Sequence, residues 1–579
     1  MIAKKISGFS TDHPRLWDGA KAALVLVFFL TTNDGAWVRL DQLIRAERYA
    51  VILGYGGIWA AAVACTLIAA FLPRTGLRVL WAVVICTSAF VGDAFIHIVR
   101  EFINYDYVEL LWVARSDAGN AFAAYGDRLA WPFFRAVVGF AAIVAAPLYV
   151  SIPAPLSFSI PLKVKRWLGA APLVPAAMIG GVIVITGGYG TQGLPQQFTP
   201  ATISVLVLVQ SAFSDHGGGR QEVSIPVRQP RRANHVVLIV DESIRGDFLG
   251  LNGPAGTTPY LKFQGHRLTN FGLAASGNNC SHFSNAIMRL GGTRKNLAES
   301  IRTSPTIWKY AKKAGYRTVY LDGQNVEGFM QNFISESEKA VIDDFLQFGG
   351  DPLDEADIRI ARHLGKILAL PEPHFVIINK SGAHFPYEKF YPEDRAFFSP
   401  HMGPGEKIGK SRERLINSYK NATRWAVDSF FETLLPAVGL DDAVILYTSD
   451  HGQNLMDRGV VTHCRYTNPH PAEGVVPMVV FTDRKDLRAG FEKSAGINKN
   501  KTSHFNLFPT LLYLFGYDRA KVRARYGPGL MDPVTDEPAF SSGTVFPRFG
   551  RSIQWNPLGD FLRDLAESNA NTNPRGAPR

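Results

Sequence analysis

The sequence predicts two parts in tandem: an α-helical transmembrane domain of about five helices and a soluble α/β domain with a mostly parallel sheet covered by helices. Three observations predict this. Long apolar runs are concentrated in the first 190 residues. From about Asn234 onwards, short β-branched runs alternate with amphipathic stretches. Two of those runs end directly in groups able to hold a cation, Asp241-Glu242-Ser243 and Asp450-His451-Gly452.

A bilayer core needs roughly 20 apolar residues in helical form. The stretches 49–72, 79–99, 131–150 and 168–189 meet that length, and 17–37, flanked by Asp18, Lys21 and Asp34, adds a fifth. Five spans put the chain ends on opposite sides of the membrane. Lys4, Lys5, Arg15, Lys21, Arg74, Arg78, Lys163, Lys165 and Arg166 fall on one side, and the smaller set Arg39, Arg45, Arg48, Arg100, Arg115 and Arg128 on the other. The excess of positive charge places the N-terminus in the cytoplasm and the C-terminal half outside, which in a bacterium is the periplasm. The first apolar run lacks a small-residue cleavage site, so no cleaved signal is expected.

Within this half, Cys65 and Cys86 sit in apolar runs and read as packing residues. Asp93 and His97 fall in the third span, either as a functional intramembrane pair or as groups solvated at its outer end. The segment "FINYDYVELLW" reads as an amphipathic helix at the interface. The run "ATISVLVLVQSAF" is short for a span and reads as a bridging helix, and "SDHGGGRQEVSIPVRQPRRAN" as a linker. The expected organisation is 1–190 transmembrane, 191–233 bridge and linker, 234–560 catalytic, and 561–579 flexible tail. The formal net charge of +11 suits a protein lying against anionic lipid. The basic residues are scattered and no nucleic-acid motif is present, so no nucleic-acid partner is expected.

In the soluble half, "HVVLIV", "RTVYL", "HFVIIN", "AVILYTS" and "VPMVVF" read as buried strands, and "SPTIWKYAKKAG", "RLINSYKNATRWAVDSFFETLL" and "HFNLFPTLLYLFG" as helices. Ligands of open α/β sheets gather beyond the carboxyl ends of strands. A carboxylate group and an Asp-His pair at two such ends suit Zn²⁺, with Mn²⁺ as the weaker fit. Each pair alone also fits a turn cap.

These residues carry a resemblance. "VDESIRGDFLGLNGPAGTTPYL" resembles the opening motif of the periplasmic phosphoethanolamine transferases of the alkaline phosphatase/sulfatase superfamily, with Glu242, Ser243, Arg245, Asp247, Leu249, Gly250 and Thr257-Thr258-Pro259 all matching. "SGAHFPYEKFYP", "YTSDHGQNL", "GVVTHC" and "SHFNLFPTLLYLFG" resemble further family segments in family order. The resemblance implies a sulfatase-like domain, bound Zn²⁺ (one ion or two), and transfer of phosphoethanolamine from phosphatidylethanolamine to lipid A or another envelope glycan. A glycerol-phosphate transferase, a phosphodiesterase of the same superfamily and a non-catalytic envelope scaffold are the rival readings.

The family's nucleophile segment, laid without gaps on "SGNNCSHFSNAIMR", pairs Ser281 with the nucleophilic Thr. The resemblance then implies Glu242, Ser281, Asp450 and His451 as metal ligands. It implies that His384 and His463 contact the phosphoryl group or a second metal, and that Asn104 and Glu109 are candidates for the headgroup. Cys280 is the neighbouring alternative, as a zinc thiolate or a formylglycine precursor, although the Pro and Arg of the sulfatase motif are missing after it. A Cys280–Cys464 bridge is open but not predicted by spacing. His470 and His504 read either as site groups or as caps, His282 as a surface or supporting group, and Arg245–Asp247 as a structural ion pair. Four positions depart from the family: Asp241, Phe385 and Cys464 replace Gly, and Asn379 replaces a His. Asp241 offers an alternative ligand.

Overall fold

The structure is a computed structural model that describes residues 14–571 apart from 34, 100–101, 114–117, 148–166, 189, 214–218, 327, 329, 351, 405, 407–410, 458, 460, 467 and 547–551. The chain divides into two units, Met1–Asp215 with Arg548–Arg551, and His216–Pro547 with Ser552–Arg579.

Among the described residues, the regular elements of the first unit are all helices. The expected span 17–37 is not one helix: Pro14–Thr31 and Gly35–Arg45 meet at 61°. The break has a local cause. The Thr31 and Thr32 hydroxyls bond back to Val27 O and Phe28 O, each at 2.8 Å, and Asn33 Nδ2 donates to Phe29 O at 2.6 Å. The Asn33 side chain takes the Phe29 carbonyl that its own N–H would use, and Asn33 N turns to Leu30 O at 3.2 Å. Among the described residues, Tyr49–Ala70 and Thr75–Val99 are each long and apolar enough to cross a bilayer, and the bent pair adds a third if it is one span. Ala118–Val144 covers the described part of the stretch expected at 131–150, but it also contains Asp127, Arg128 and Arg135. The stretch 168–189 shortens to a 13-residue helix, Leu173–Ile185. The apolar runs do form helices, and among the described residues two of them, or three with the bent pair, are long and apolar enough to cross a bilayer by themselves.

Polar groups hold this unit together. Asp93 is buried rather than solvated, its Oδ2 2.6 Å from Arg135 Nη2 and its Oδ1 3.3 Å from His97 Nδ1. Lys21, expected as a flanking charge, is also buried, and its Nζ donates to Ala70 O and Ala145 O at 2.5 Å each. One ammonium thus serves the carbonyl ends of two helices, which have no intrahelical donors. The helix Tyr105–Val113 is not a purely interfacial element, since Tyr105, Tyr107 and Val108 are buried. Cys65 and Cys86 are buried free thiols, as expected of packing residues.

The second unit centres on a seven-stranded sheet whose strands are β1 (His235–Asp241), β2 (Leu268–Ala275), β3 (Arg317–Asp322), β4 (Asp344–Gln347), β5 (His374–Asn379), β6 (Ala443–Ser449) and β7 (Val475–Phe481). Their order across the sheet is β2-β7-β6-β1-β5-β3-β4. The pairs β1/β5, β1/β6, β3/β5 and β3/β4 are parallel, and within this sheet the β6/β7 and β2/β7 pairs are antiparallel. Strands β1, β5, β6 and β7 are buried at every position, which is why they read as unbroken apolar runs instead of alternating ones. Trp308, Phe375, Leu511 and Phe515 pack against one face, and Tyr387, Tyr419, Phe430 and Phe431 against the other.

Two boundaries differ from expectation. The linker does not hang free after residue 218: Gln221 N donates to Thr303 O at 2.8 Å, Val227 bridges to Tyr517, and Arg228 N donates to Gly516 O at 2.9 Å. Of the expected tail 561–579, residues 561–571 belong instead to the helix Gly559–Asn571, whose Leu562 is buried beside Leu273, Val475 and Phe540, while 572–579 lie outside the described residues. The amphipathic spacing of Phe561, Leu562 and Leu565 accounts for the docking.

Beneath the carboxyl end of β1 lies a buried ion pair. Lys380 Nζ is 2.7 Å from Asp241 Oδ2, which also accepts from Tyr447 OH at 3.0 Å, and both charged side chains are fully buried. Asp241 therefore faces away from any role as a ligand. Two stability predictions follow from these contacts and are checked by thermal unfolding of the purified protein. Leu562→Ala should cost about 2–5 kcal/mol, because it empties a packed apolar site. Lys380→Met should cost about 3–5 kcal/mol by stranding a buried carboxylate, while Lys380→Met combined with Asp241→Gly should recover most of that loss.

Candidate active site

The site forms because β1 and β6 are parallel neighbours in matched register, with Asp241 opposite Ser449. Each strand is followed at once by its polar residues, so Glu242 and Asp450-His451 emerge side by side. The pairing continues past the strand ends, where Asp450 N donates to Asp241 O at 2.8 Å. Two glycines make room. A Cβ on Gly382 would lie 2.6 Å from Glu242 N, and one on Gly452 would lie 2.6 Å from Val475 O. Both backbones must pass that close, so neither position admits a side chain.

Glu242, Asp450 and His451 are buried. Ser243 takes a left-handed conformation, φ 61°, that non-glycine residues avoid. What holds it there is visible: its N–H donates to Asp450 Oδ1 at 3.0 Å and its Oγ to Glu242 Oε1 at 2.7 Å. His451 N donates to the same Asp450 oxygen at 2.7 Å. The other oxygen, Asp450 Oδ2, is buried without a hydrogen-bond partner and lies 3.5 Å from His451 Nε2. His451 Nε2 is also 3.4 Å from Glu242 Oε1 and 3.0 Å from Ser281 Oγ.

The imidazole tautomers follow from the acceptors. His451 Nδ1 is 2.7 Å from Gly452 O, and a carbonyl only accepts, so Nδ1 carries a proton and Nε2 is the atom that faces the two carboxylates. His463 Nδ1 is 3.1 Å from Gln453 Oε1, and that amide is oriented by Gln453 Nε2 donating to Tyr387 OH at 2.9 Å. His463 stacks on His451 with ring centroids 4.2 Å apart, and the His384 ring lies 6.4 Å beyond it. His384 Nδ1 is 2.7 Å from Phe385 O, so Nδ1 carries a proton there as well.

This donor set fits a cation. Glu242, His451 and His463 each offer a ligand atom within 4.8 Å of the others. Asp450 Oδ2 and Ser281 Oγ add oxygen donors, and mixed carboxylate and imidazole ligation suits Zn²⁺. The charges agree. Burial and the Glu242 charge push Asp450 well above the usual carboxylate range. Burial works against the Glu242 charge, but the neighbouring His451 holds Glu242 well below that range. Burial alone would lower His451, yet the Asp450 and Glu242 carboxylates raise it to about 9. Two carboxylates facing one imidazole draw in a proton, and a cation in the same position would replace it.

Ser281 is the first residue of the helix Ser281–Arg289, with Cys280 as its N-cap. A helix N-terminus favours an approaching anion. The preceding loop is fixed by Asn278, whose Nδ2 donates to Ser541 Oγ at 2.9 Å while its Oδ1 accepts from Cys280 N at 2.9 Å. His504 is neither a ligand nor a helix cap: it accepts from Gly277 N at 3.0 Å on Nδ1 and donates to Ser449 O at 2.9 Å from Nε2. Burial pushes it down to about 3, as a neutral clamp between the Ser281 loop and β6 requires. His282 packs against Phe283 and Phe333 at 4.0 and 5.2 Å, and burial with the nearby His451 charge pushes it to about 3.

Cys280 is bonded to Cys464, so it offers neither a thiolate ligand nor a formylglycine precursor. Arg245 and Asp247 form the expected ion pair at 2.7 Å, extended to Asp457 at 3.1 Å. His470 caps the turn at Pro471–Gly474 by accepting from Ala472 N. Asn379, in place of the family His, joins an amide layer: its Nδ2 donates to Asp322 Oδ1 at 3.0 Å. Gln324, which no sequence signal singled out, donates to Glu242 Oε2 at 3.2 Å and to Lys380 O at 2.7 Å. Asn104 and Glu109 belong to the first unit, whereas this cluster belongs to the second. Asn104 is buried and its Oδ1 accepts from Tyr107 N at 3.0 Å, capping the helix Tyr105–Val113; Glu109 is half-buried on that helix.

Residues 234–517 match the sulfatase family. Over 298 residues the chain is 24% identical to a Kdo(2)-lipid A phosphoethanolamine 7''-transferase of Escherichia coli (strain K12), a match covering 49% of this chain and 52% of that protein. It is 26% identical over 321 residues to phosphatidylethanolamine transferase Mcr-1 of Escherichia coli, covering 52% of this chain and 56% of that one. The chain thus spans about half the length of the curated relatives it matches. The integral membrane lipooligosaccharide phosphoethanolamine transferase A (EptA) from Neisseria meningitidis has the same fold, with a TM-score of 0.62 at 19% identity over 87% of this chain and 96% of that chain. The chain therefore carries a sulfatase-family domain at residues 234–517, preceded in sequence by a unit of apolar helices.

Proposed function

We propose that this chain transfers phosphoethanolamine from phosphatidylethanolamine to lipid A or another envelope glycan, on the periplasmic side of a bacterial inner membrane. One observation carries the reading: the Ser281 hydroxyl, at a helix N-terminus, lies 3.0 Å from His451 Nε2 inside a buried Glu242, Asp450 and His451 cluster. The similar transferases of Escherichia coli supply the group transferred and the acceptor class. Tethering by apolar helices keeps a soluble domain beside donor and acceptor that are both membrane-borne, which raises their effective concentration.

Glu242, Ser281, Asp450 and His451 would hold a zinc ion, with His463 within reach. Bound there, the ion would lower the pKa of the serine hydroxyl and offset negative charge on the phosphoryl group. The chain's own groups then account for the transfer. Ser281 Oγ attacks the donor phosphorus, forming the Ser281–phosphorus bond as the bond to the diacylglycerol oxygen breaks. The proton given up by the Ser281 hydroxyl goes to the departing oxygen, which leaves as the alcohol. His384 and His463 line the cluster where the phosphoryl group would sit, and the N–H groups at the start of the helix Ser281–Arg289 offset its developing charge. In the second half, an acceptor oxygen attacks the phosphoethanolamine on Ser281 and returns the free hydroxyl.

Two results are expected. Incubating the purified protein with phosphatidylethanolamine and no acceptor should add one phosphoethanolamine to the Ser281 peptide by mass spectrometry, and Ser281→Ala should fold normally but carry no adduct. An adduct on another residue would refute the nucleophile. Stripping metal with a chelator should lower the melting temperature of the soluble unit, and zinc should restore it by mass action. In Asp450→Ala the melting temperature should respond to neither treatment.

A further inference from the structure

We propose that the Cys280–Cys464 disulfide is a positioning strut that holds the His463 imidazole in the catalytic cluster, so that removing the bridge takes His463 out of the site while the sheet stays folded. This inference rests on the proposed role of the cluster, and it adds a device that the family motifs do not contain.

The two cysteines flank two reacting groups. Cys280 directly precedes Ser281, and Cys464 directly follows His463. The bridge joins them across 184 residues of sequence with Cα atoms 4.4 Å apart, and both cysteines are buried. The nucleophile side needs no strut. Cys280 caps a regular helix, and Asn278 and His504 already pin the loop before it. The His463 side is different. It lies on a short excursion between the two-residue strand Val461–Thr462 and the turn at Pro471–Gly474. Its side chain meets Gln453 Oε1 at 3.1 Å and stacks on His451.

The backbone at Cys464 explains why the bridge is placed here. Cys464 has φ 60°, a left-handed conformation that disfavours any Cβ, at a position where the resembling family carries Gly. A cysteine is kept there against that preference, and its sulfur is used. The bridge acts together with a polar bracket. Cys464 N donates to Asn279 O at 2.8 Å, and Asn279 Nδ2 donates to Arg465 O and to the buried Glu473 Oε2, each at 2.8 Å. Arg465 N reaches the same Glu473 oxygen at 3.2 Å. Covalent and polar ties therefore converge on the residues just after His463 and bind them to the residues just before Ser281.

The test compares the full-length protein with Cys280→Ala/Cys464→Gly, with His463→Ala, and with the triple variant. Turnover and bound zinc per chain are the readouts, alongside cooperative thermal unfolding. Cys464→Gly restores the residue that suits the left-handed backbone, so the loop loses its strut without added strain. We expect the cysteine pair variant to lose turnover and zinc by at least about tenfold, matching His463→Ala. The triple variant should be no worse than either, because both changes act on one imidazole. Losses that multiply in the triple variant would overturn the proposal, as would a cysteine pair variant equal to the unaltered protein or a fully active His463→Ala. Should the pair variant not unfold cooperatively, the folded unaltered protein is compared before and after anaerobic reduction with a trialkylphosphine. That reagent takes the oxygen of one water as phosphine oxide while two hydrogens pass to the sulfurs. Loss of zinc with retained cooperative unfolding is then expected, and unchanged zinc overturns the strut. An unaltered protein that transfers no phosphoethanolamine would refute the proposed function instead, and the zinc readout keeps the two failures apart.

Discussion

The parallel pairing of β1 with β6 is the constraint on which the rest of the site depends. A one-residue slip in that register would turn every side chain to the opposite face. Matched as they are, Asp241 lies opposite Ser449, and Glu242 leaves the sheet beside Asp450 and His451. Both strands are buried along their full length, so the register is set by the whole core rather than by the polar residues at its end. The polar residues inherit their positions. Electrostatics alone would drive them apart, since two buried carboxylates with one imidazole form a cluster that needs a proton or a cation to balance it.

Support around the cluster is chain-specific where the family pattern is broken. Asp241 in place of Gly would add a charge next to Glu242, but Lys380 and Tyr447 take up its carboxylate and turn it below the sheet end. Lys380 Nζ also reaches Ala426 O, within the π-helical turn Arg424–Ser429 whose Asp428 caps the segment at Tyr260 and Leu261. Asn379, Asp322 and Gln324 build a hydrogen-bonded layer beside Glu242 where the family has a histidine. The histidine-rich side of the family site is thereby partly replaced by amides. Amides orient a carboxylate through hydrogen bonds without adding positive charge.

Much of this was legible in the sequence, for a physical reason. Buried parallel strands are unbroken apolar runs, and Glu242, Asp450 and His451 stand out because each interrupts the chain where such a run ends. Ser281 was legible only through its motif, since nothing in a loop of hydroxyls marks one of them. Other features were hidden by distance along the chain. The Cys280–Cys464 bridge, the Asp241–Lys380 pair and the Gln324 contact join residues far apart in sequence, and spacing carries no trace of them. Polar composition hides the docking of the linker and of the C-terminal helix, whose Ile225 and Leu562 are buried in apolar clusters of the sheet domain. In the helical unit, side-chain to backbone bonds at Thr31, Thr32 and Asn33 broke a run that hydropathy alone reads as continuous.

The account stands on one cation gripped jointly by Glu242, Asp450, His451 and the Ser281 hydroxyl. Anomalous diffraction at the zinc edge from crystals of the zinc-loaded protein measures that directly. The account predicts a peak within coordination reach of all four side chains, about 2 Å from Ser281 Oγ. A peak bound elsewhere, or one that leaves the Ser281 hydroxyl outside coordination reach, would contradict it.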